Sequence, residues 1–361
     1  MSPAIEVTSE YDDNIYLLPA SRTSDLDSPS AGAVASGRYA DMSSAGDVIT
    51  TIKGAALLRG SGLRGRRLDI QPELAYAANA RNAERRSVAV GLGLTQDLPR
   101  GGRVRVAAHT TPSYFAKNYL VDATDLNADG SISSGERRYA AGTYREGDVS
   151  LDYRLRLNKS TKESPFGAAL QIGGGYYTRS YQEPLSGRDL KGPTADARLL
   201  LDLTRRLGMN VGYGYGAMSA TPTEQVMIVD ESKVGRDLNG NSSMTDANVR
   251  VVGLADRSRG EHSAGVGAKL ELTRRTDLRV DAERRIRRFS SNEPVDFANI
   301  GRRDVRDQVG AELTIALRPG VRLSMRGERA SQRLERGQDA GVGEIDDYAR
   351  TRVALGVRFG F

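Results

Sequence analysis

The chain has 361 residues, with 52 Lys+Arg against 46 Asp+Glu for a formal net charge of +6, two His, and neither Cys nor Trp. The lack of Cys excludes a disulfide framework, a zinc finger, an iron–sulfur site and a thiol nucleophile, and two imidazoles leave most hydrolase and metalloenzyme schemes without their usual parts. Apolar residues make up 39% of the chain and mean hydropathy is −0.47, which alone describes a polar, soluble protein; apolar runs such as Leu199-Leu200-Leu201 fall far short of the about 20 residues a membrane-crossing helix needs.

In residues 1 to 20, Ile5, Val7, Tyr11 and Ile15 are interleaved with Glu6, Glu10, Asp12 and Asp13, which does not make a signal-peptide core. An exported chain needs a leader ahead of it. Strict alternation then dominates. Apolar side chains occupy every second position in Leu68/Ile70/Leu74/Tyr76 (interrupted at Pro72), Val88/Val90/Leu92/Leu94, Val104/Val106/Ala108, Val149/Leu151/Tyr153/Leu155/Leu157 and Phe166/Ala168/Leu170/Ile172. The pattern continues in Ala195/Ala197/Leu199/Leu201/Leu203, Val211/Tyr213/Tyr215, Ala264/Val266/Ala268/Leu270/Leu272, Val309/Ala311/Leu313/Ile315/Leu317, Val321/Leu323/Met325 and Val353/Leu355/Val357/Phe359/Phe361. A period of 2 is a strand with one greasy and one polar face.

Short turns at 59–66, 99–102, 158–165, 206–208, 275–277 and 318–320 alternate with long polar stretches at 19–46, 117–137, 182–192, 219–257, 290–302 and 334–346, and a shorter one near 78–85. The spacing predicts an all-β protein: one domain over residues 1–361, a fourteen-stranded antiparallel up-and-down barrel with short periplasmic turns, long extracellular loops and both termini periplasmic. A soluble sandwich also alternates, but its polar face is turned to bulk water. Here the polar face is a dense mixture of Gly, Arg, Asp, Glu, Thr and Ser, which suits a wet lumen. Gly173, Gly175, Gly212, Gly214 and Gly216 thin its wall, and Asp281, Glu283, Glu312 and Glu328 are placed to pair with lumenal arginines. Pro72 weakens a central strand, Arg284 is costly if it faces lipid near the midplane, and the interfacial girdle falls to Tyr11, Tyr76, Tyr114, Tyr153 and Tyr215.

The chain end, Val353, Leu355, Val357, Phe359 and a terminal Phe361, resembles the C-terminal signature that delivers Gram-negative outer-membrane barrels to their assembly machinery. The segment Glu10-Tyr11-Asp12-Asp13-Asn14-Ile15-Tyr16, followed by a loop with Ser24, Asp25 and Asp27, resembles the opening strand of an outer-membrane β-barrel porin family often associated with exopolysaccharide export. That resemblance covers the first strand and loop, and it implies a bacterial outer-membrane location, contact with outer-membrane lipid, and passage of a glycan with or without a periplasmic export partner.

The third long loop carries the twelve-residue pattern of an EF-hand: Asp125, Asn127 and Asp129 at positions 1, 3 and 5, Gly130 at 6, Ser131 offering its carbonyl at 7, Ser133 at 9 and Glu136 at 12. One Ca²⁺ is expected there, stiffening an extracellular loop; the alternative is an Asx-rich turn without metal. A weaker echo at Asp237, Asn239, Asn241 and Ser243 puts Ser242 where Gly belongs and Asn248 where the bidentate Glu belongs, and is expected to be vacant.

His109-Thr110 and His262-Ser263 are neighbours that alternate to opposite faces of a strand, so neither makes a base–nucleophile pair; no enzyme activity is expected. The run Arg284-Arg285-Ile286-Arg287-Arg288 would suit phosphate binding in a soluble protein. In strand register Arg279, Arg285 and Arg287 instead share the inner face with Arg322, Arg326, Arg352 and Arg358, so no nucleic-acid partner is expected. Those seven form either a selectivity surface for anionic solute or acidic polysaccharide or a salt-bridge lattice. The sequence therefore points to a pore or export channel, with a closed, surface-binding structural barrel as the competing class.

Overall fold

The computed structural model describes residues 2–158, 166–336 and 347–361. Residues 159–165 of the expected third turn and 337–346 of the last expected loop lie outside the described residues. Sixteen strands follow in chain order: β1 (Ser2–Asp12), β2 (Asp47–Ser61), β3 (Arg67–Asn79), β4 (Ser87–Asp97), β5 (Arg103–Ala123), β6 (Arg137–Asn158), β7 (Gly167–Tyr181), β8 (Leu190–Asp202), β9 (Leu207–Met218), β10 (Thr223–Val229), β11 (Val249–Ala255), β12 (Arg259–Thr273), β13 (Thr276–Phe289), β14 (Arg303–Arg318), β15 (Val321–Arg336) and β16 (Tyr348–Gly360).

Fourteen of them close into one antiparallel barrel, in which β9 is followed by β12 because β10 and β11 leave as a separate hairpin. The seam joins the two ends of the chain. Ile5 pairs with Phe359, Val7 with Val357 and Tyr11 with Val353, and the Phe361 N–H donates to the Pro3 carbonyl at 3.0 Å. Closure leaves no sheet edge, which is what a backbone in lipid requires.

The alternating apolar residues all face outward. Val353, Leu355 and Val309 are 58%, 53% and 56% exposed, and cross-strand register keeps such residues in rows, as in Val280↔Ala311 and Leu313↔Met325. Along β14 the outward row runs from Val309 to Leu317. Eight residue steps at a tilt of about 40° rise roughly 20 Å, close to the about 25 Å apolar band of an outer-membrane barrel. A continuous belt of this kind is a lipid-facing surface. Pro72 lies on the outward face of β3, opposite Leu92. Among the described residues no helix is long and apolar enough to cross a membrane, so the strands cross it.

Tyr11, Tyr76, Tyr153 and Tyr215 point outward and are exposed, but Tyr114 does not. The pairing of β5 with β6 shifts between Thr111 and Tyr114, and a one-residue shift moves a side chain to the other face. Tyr114 stacks on Tyr144, 5.3 Å between ring centroids, and on the Arg85 guanidinium.

Buried apolar side chains gather beyond the barrel, at its loop end. The expected polar loop 117–137 is shorter than expected, since β5 runs on beyond the apolar band to Ala123, leaving 124–136 as loop before β6 begins at Arg137. The expected loop 219–257 contains the β10–β11 hairpin and the short helix α1 (Glu231–Val234). Met227 and Val229 of the hairpin pack on Phe297 of the β13–β14 loop, and Ile228 packs on Ala123 and Ile132 of the β5–β6 hairpin. These two loops stand nearly opposite in the ring, so the β10–β11 hairpin bridges the loop-side mouth of the barrel as a roof. The first long loop packs Ile15, Tyr16, Leu18, Leu26 and Met42 against Phe115 of β5. Asn14 shapes its entry, accepting from the Leu18 N–H at 2.9 Å and donating to the Leu18 carbonyl at 2.7 Å.

Candidate functional site

Two places concentrate chemistry: the lumen wall and the roof loops. In the lumen, register puts Arg279, Arg285, Arg287, Arg322, Arg326, Arg352 and Arg358 on the inner face: Arg279 lies opposite Glu312, Arg287 opposite Asp304, Arg322 opposite Arg358 and Arg352 opposite Glu328. The loop-side members are engaged. Arg352 pairs with Glu328 and, at 3.6 Å, with Glu10, while Arg326 reaches the second oxygen of Glu328 at 2.9 Å. Arg287 and Arg259 share one oxygen of Glu261 at 3.3 and 2.7 Å, and Arg285 holds Glu283 at 2.9 Å. This half is a salt-bridge lattice. Arg279, Arg322 and Arg358 lie toward the turn end and form no ion pair among the described residues.

Below them the described turns add further positive charge, through Arg64, Arg66 and Arg67, Arg103, Arg205 and Arg206, Arg274 and Arg275, and Arg318. Asp69 and Asp97 answer part of it, at 2.5 Å from Arg67 and 2.9 Å from Arg103.

Along β8, β9, β12 and β13 the wall is thinned by Gly212, Gly214, Gly265 and Gly267, and a groove of about 390 Å³ lies there beside Asp196, Arg198 and Arg279. A second groove of about 530 Å³ continues toward the roof past Tyr177, Arg179, Glu261 and Arg287. Gly173 leaves room for two carboxylates: a Cβ there would meet the Asp196 and Asp152 side-chain oxygens, which would have to swing aside.

In the roof, the Asp125–Glu136 loop turns on two left-handed residues. Gly130 and Ala128 have φ of 81° and 56°. The Gly130 N–H donates to Asp125 Oδ2 at 2.9 Å, the Asp129 N–H to Asn127 at 3.3 Å and the Ser131 N–H to Asp129 at 2.8 Å. Glu136 folds back, accepting from the Leu126 N–H at 2.8 Å and the Ser133 N–H at 2.7 Å. Those bonds, led by the Ser133 side chain, hold its carboxyl below the usual glutamate range. Asp125 Oδ1 is buried with no partner.

The Asp237–Ser243 loop repeats this arrangement. Ser242 donates to Asp237 Oδ2 at 2.8 Å, Asn241 to Asn239 at 3.1 Å and Ser243 to Asn241 at 2.7 Å, each through its N–H. Gly240 and Ser242 take φ of 75° and 67°, so Ser242 adopts the left-handed conformation expected of Gly. The two loops touch. Ser131 Oγ donates to the Ala247 carbonyl at 3.0 Å, and the Ile132 N–H to the Asn248 carbonyl at 2.9 Å. Among the described residues no three His, Cys, Asp or Glu side chains gather as a metal cluster; oxygen donors in both loops are mixed carboxylate, amide, hydroxyl and backbone.

The two histidines lie on opposite faces of the wall. His109 stands in the lumen 3.5 Å from Asp148. His262 faces outward and shares a 2.7 Å hydrogen bond with Tyr213, with Ser263 on the lumenal side of the strand.

No protein-family model and no curated sequence matches the chain. Among solved structures it is similar to the beta domain of the Bordetella autotransporter BrkA (13% identity, 100% of this chain and 99% of that one, TM-score 0.40). It is similar also to OccAB3 of Acinetobacter baumannii (10%, 100% and 99%, TM-score 0.42) and to outer membrane phospholipase A from Escherichia coli (11%, 99% and 92%, TM-score 0.36). The closed ring, its lipid-facing belt and its polar interior make this protein a fourteen-stranded membrane-spanning β-barrel.

Proposed function

We propose that the barrel is a pore that passes anionic solute, an acidic glycan above all, entering from the periplasmic side. The carrying observation is the distribution of charge along the lumen. Arginines near the roof are neutralised by Glu328, Glu261 and Glu283, whereas Arg279, Arg322 and Arg358 near the turns have no carboxylate within ion-pair distance among the described residues. Unpaired cationic rings select anions at a pore mouth, and the arginine-bearing turns widen that field. The glycine-thinned grooves give a hydrated path beside the wall. An export role for polysaccharide also draws on the likeness of the first strand to the export-associated porin family. Planar-bilayer recording tests the proposal: anion-selective steps are expected, with the reversal potential shifting toward cation selectivity in Arg322→Glu/Arg358→Glu.

A second reading, a structural barrel that binds an envelope partner through its loops, is favoured by the packed roof across the mouth. A silent bilayer with a well-folded barrel would select it. In both readings the Asp125–Glu136 loop binds one Ca²⁺ through Asp125, Asn127, Asp129, the Ser131 carbonyl and Glu136, with Ser133 at the ninth position. The support is its pattern, its backbone and the orphaned Asp125 oxygen. Equilibrium dialysis of the refolded protein before and after Glu136→Gln tests it.

A further inference from the structure

We infer that the Asp237–Ser243 loop is a second calcium site, completed by a glutamate from outside the loop, Glu231. In the twelve-residue pattern the closing carboxylate stands at position 12, where this chain has Asn248, and the loop then lacks its strongest ligand. The fold supplies one from the other side. Glu231 opens α1, six residues ahead of Asp237, and its Oε1 accepts from the Leu238 N–H at 2.5 Å and the Asn239 N–H at 3.1 Å. Glu136 makes the equivalent contact in the other loop: its Oε1 accepts from the N–H of Leu126, which follows Asp125 as Leu238 follows Asp237. The two glutamates therefore sit in the same place relative to their loops, one reaching back from the end and one forward from the start.

Burial turns this juxtaposition into a site. Glu231 is 0% exposed, and its second oxygen, Oε2, is buried without any hydrogen-bond partner. A carboxylate removed from water with an unsatisfied oxygen is costly unless a cation meets it. The same loop carries further oxygens on Asp237, Asn239 and Asn241, each of which accepts from an N–H of the loop. Asp246 closes the far side, accepting from Asn239 Nδ2 at 3.0 Å and from Ser243 Oγ at 3.4 Å, and its backbone carbonyl accepts from the Glu231 N–H at 2.9 Å. Oxygens of mixed carboxylate, amide, hydroxyl and carbonyl type suit Ca²⁺ better than Mg²⁺, which demands a stricter octahedron.

The second ion acts on the roof. Its loop ends at Asn248, where β11 begins, and Asn248 is the residue that binds Ile132 and, at 2.8 Å, Arg137 of the first loop. Two calcium loops from the β5–β6 hairpin and the β9–β12 connection thus abut above the mouth.

The experiment is calcium stoichiometry on the full chain, refolded in detergent, stripped with chelator and dialysed against Ca²⁺, with heat-modifiable gel migration as the check of folding. Wild type is expected to hold two ions, Glu231→Gln one, Glu136→Gln one, and the double variant none. Should Glu231→Gln fail to fold, Asp237→Asn is expected to give the same loss of one ion. Two ions in both wild type and Glu231→Gln, or one ion in both, overturns the inference while leaving the first loop's site standing. No ion in the wild type overturns both.

Discussion

On the outside of the barrel the Arg284 guanidinium lies flat against the Asp307 carboxylate, Nε to Oδ1 at 2.6 Å and Nη2 to Oδ2 at 2.9 Å. The two residues face each other across β13 and β14, between the apolar pairs Ala282–Val309 and Ile286–Val305. An outward arginine costs about 2–4 kcal/mol at the bilayer midplane and about 0–1 near the interface. The bidentate carboxylate partner explains why the chain tolerates it. Asp307→Ala is expected to lose about 1 kcal/mol, at the upper end for an exposed ion pair, and adding Arg284→Ala is expected to recover most of the loss. Equilibrium unfolding from lipid vesicles measures both; a single variant as stable as wild type would mean that the pair contributes nothing.

Glu136 and Asp246 give the roof a pH dependence. Hydrogen bonds to Ser133 lower the first, and the Asn239 and Asn241 amides lower the second. A carboxylate whose folded pKa is depressed contributes stability that is fully present above its unfolded value, about 4, and is lost as pH falls through the lower folded value. Loop protection from amide exchange is therefore expected to be unchanged between pH 7 and 5 and to fall only below pH about 4. Loss of protection already at pH 6 would contradict the assignment.

Phe297 is 1% exposed and pins the β13–β14 loop to Met227 and Val229 of the roof hairpin. Truncating a buried Phe costs about 3–5 kcal/mol, and here the loss falls on the roof and not on the barrel. Phe297→Ala is expected to make the β10–β11 hairpin sensitive to protease while heat-modifiable migration of the barrel is kept. Equal resistance in the two proteins would show that the roof is held elsewhere.

The terminal Phe361 is 75% exposed, and only its backbone is engaged, with Pro3. Its side chain adds little to the folded barrel. Deleting it is expected to reduce the amount of assembled barrel in membranes of expressing cells severalfold, with unfolding of the refolded protein nearly unchanged. A large stability loss in vitro would assign the residue to packing and not to delivery by the assembly machinery.

The barrel was legible in the sequence because a period of 2 runs through eleven of its strands, and lipid punishes any outward polar residue that lacks Arg284's kind of partner. Lumenal placement of the seven arginines followed from the same parity. Tyr114 was misplaced because a bulge leaves no mark in composition. The β10–β11 hairpin was hidden for a related reason. Its alternation is seven residues per strand and is set in a polar stretch that reads as loop. Glu231 was out of reach of a motif that looks only forward from Asp237; the pattern registers the missing glutamate at Asn248, and only the fold brings a replacement from behind.

Single-channel recording of the refolded protein reads at once whether the lumen conducts anions and whether calcium holds the roof above it. With Ca²⁺ present, small anion-selective steps are expected, and chelator is expected to raise conductance or open time, with Glu231→Gln showing the raised level at the outset. A bilayer that stays silent with and without chelator, despite a folded barrel, would contradict the account.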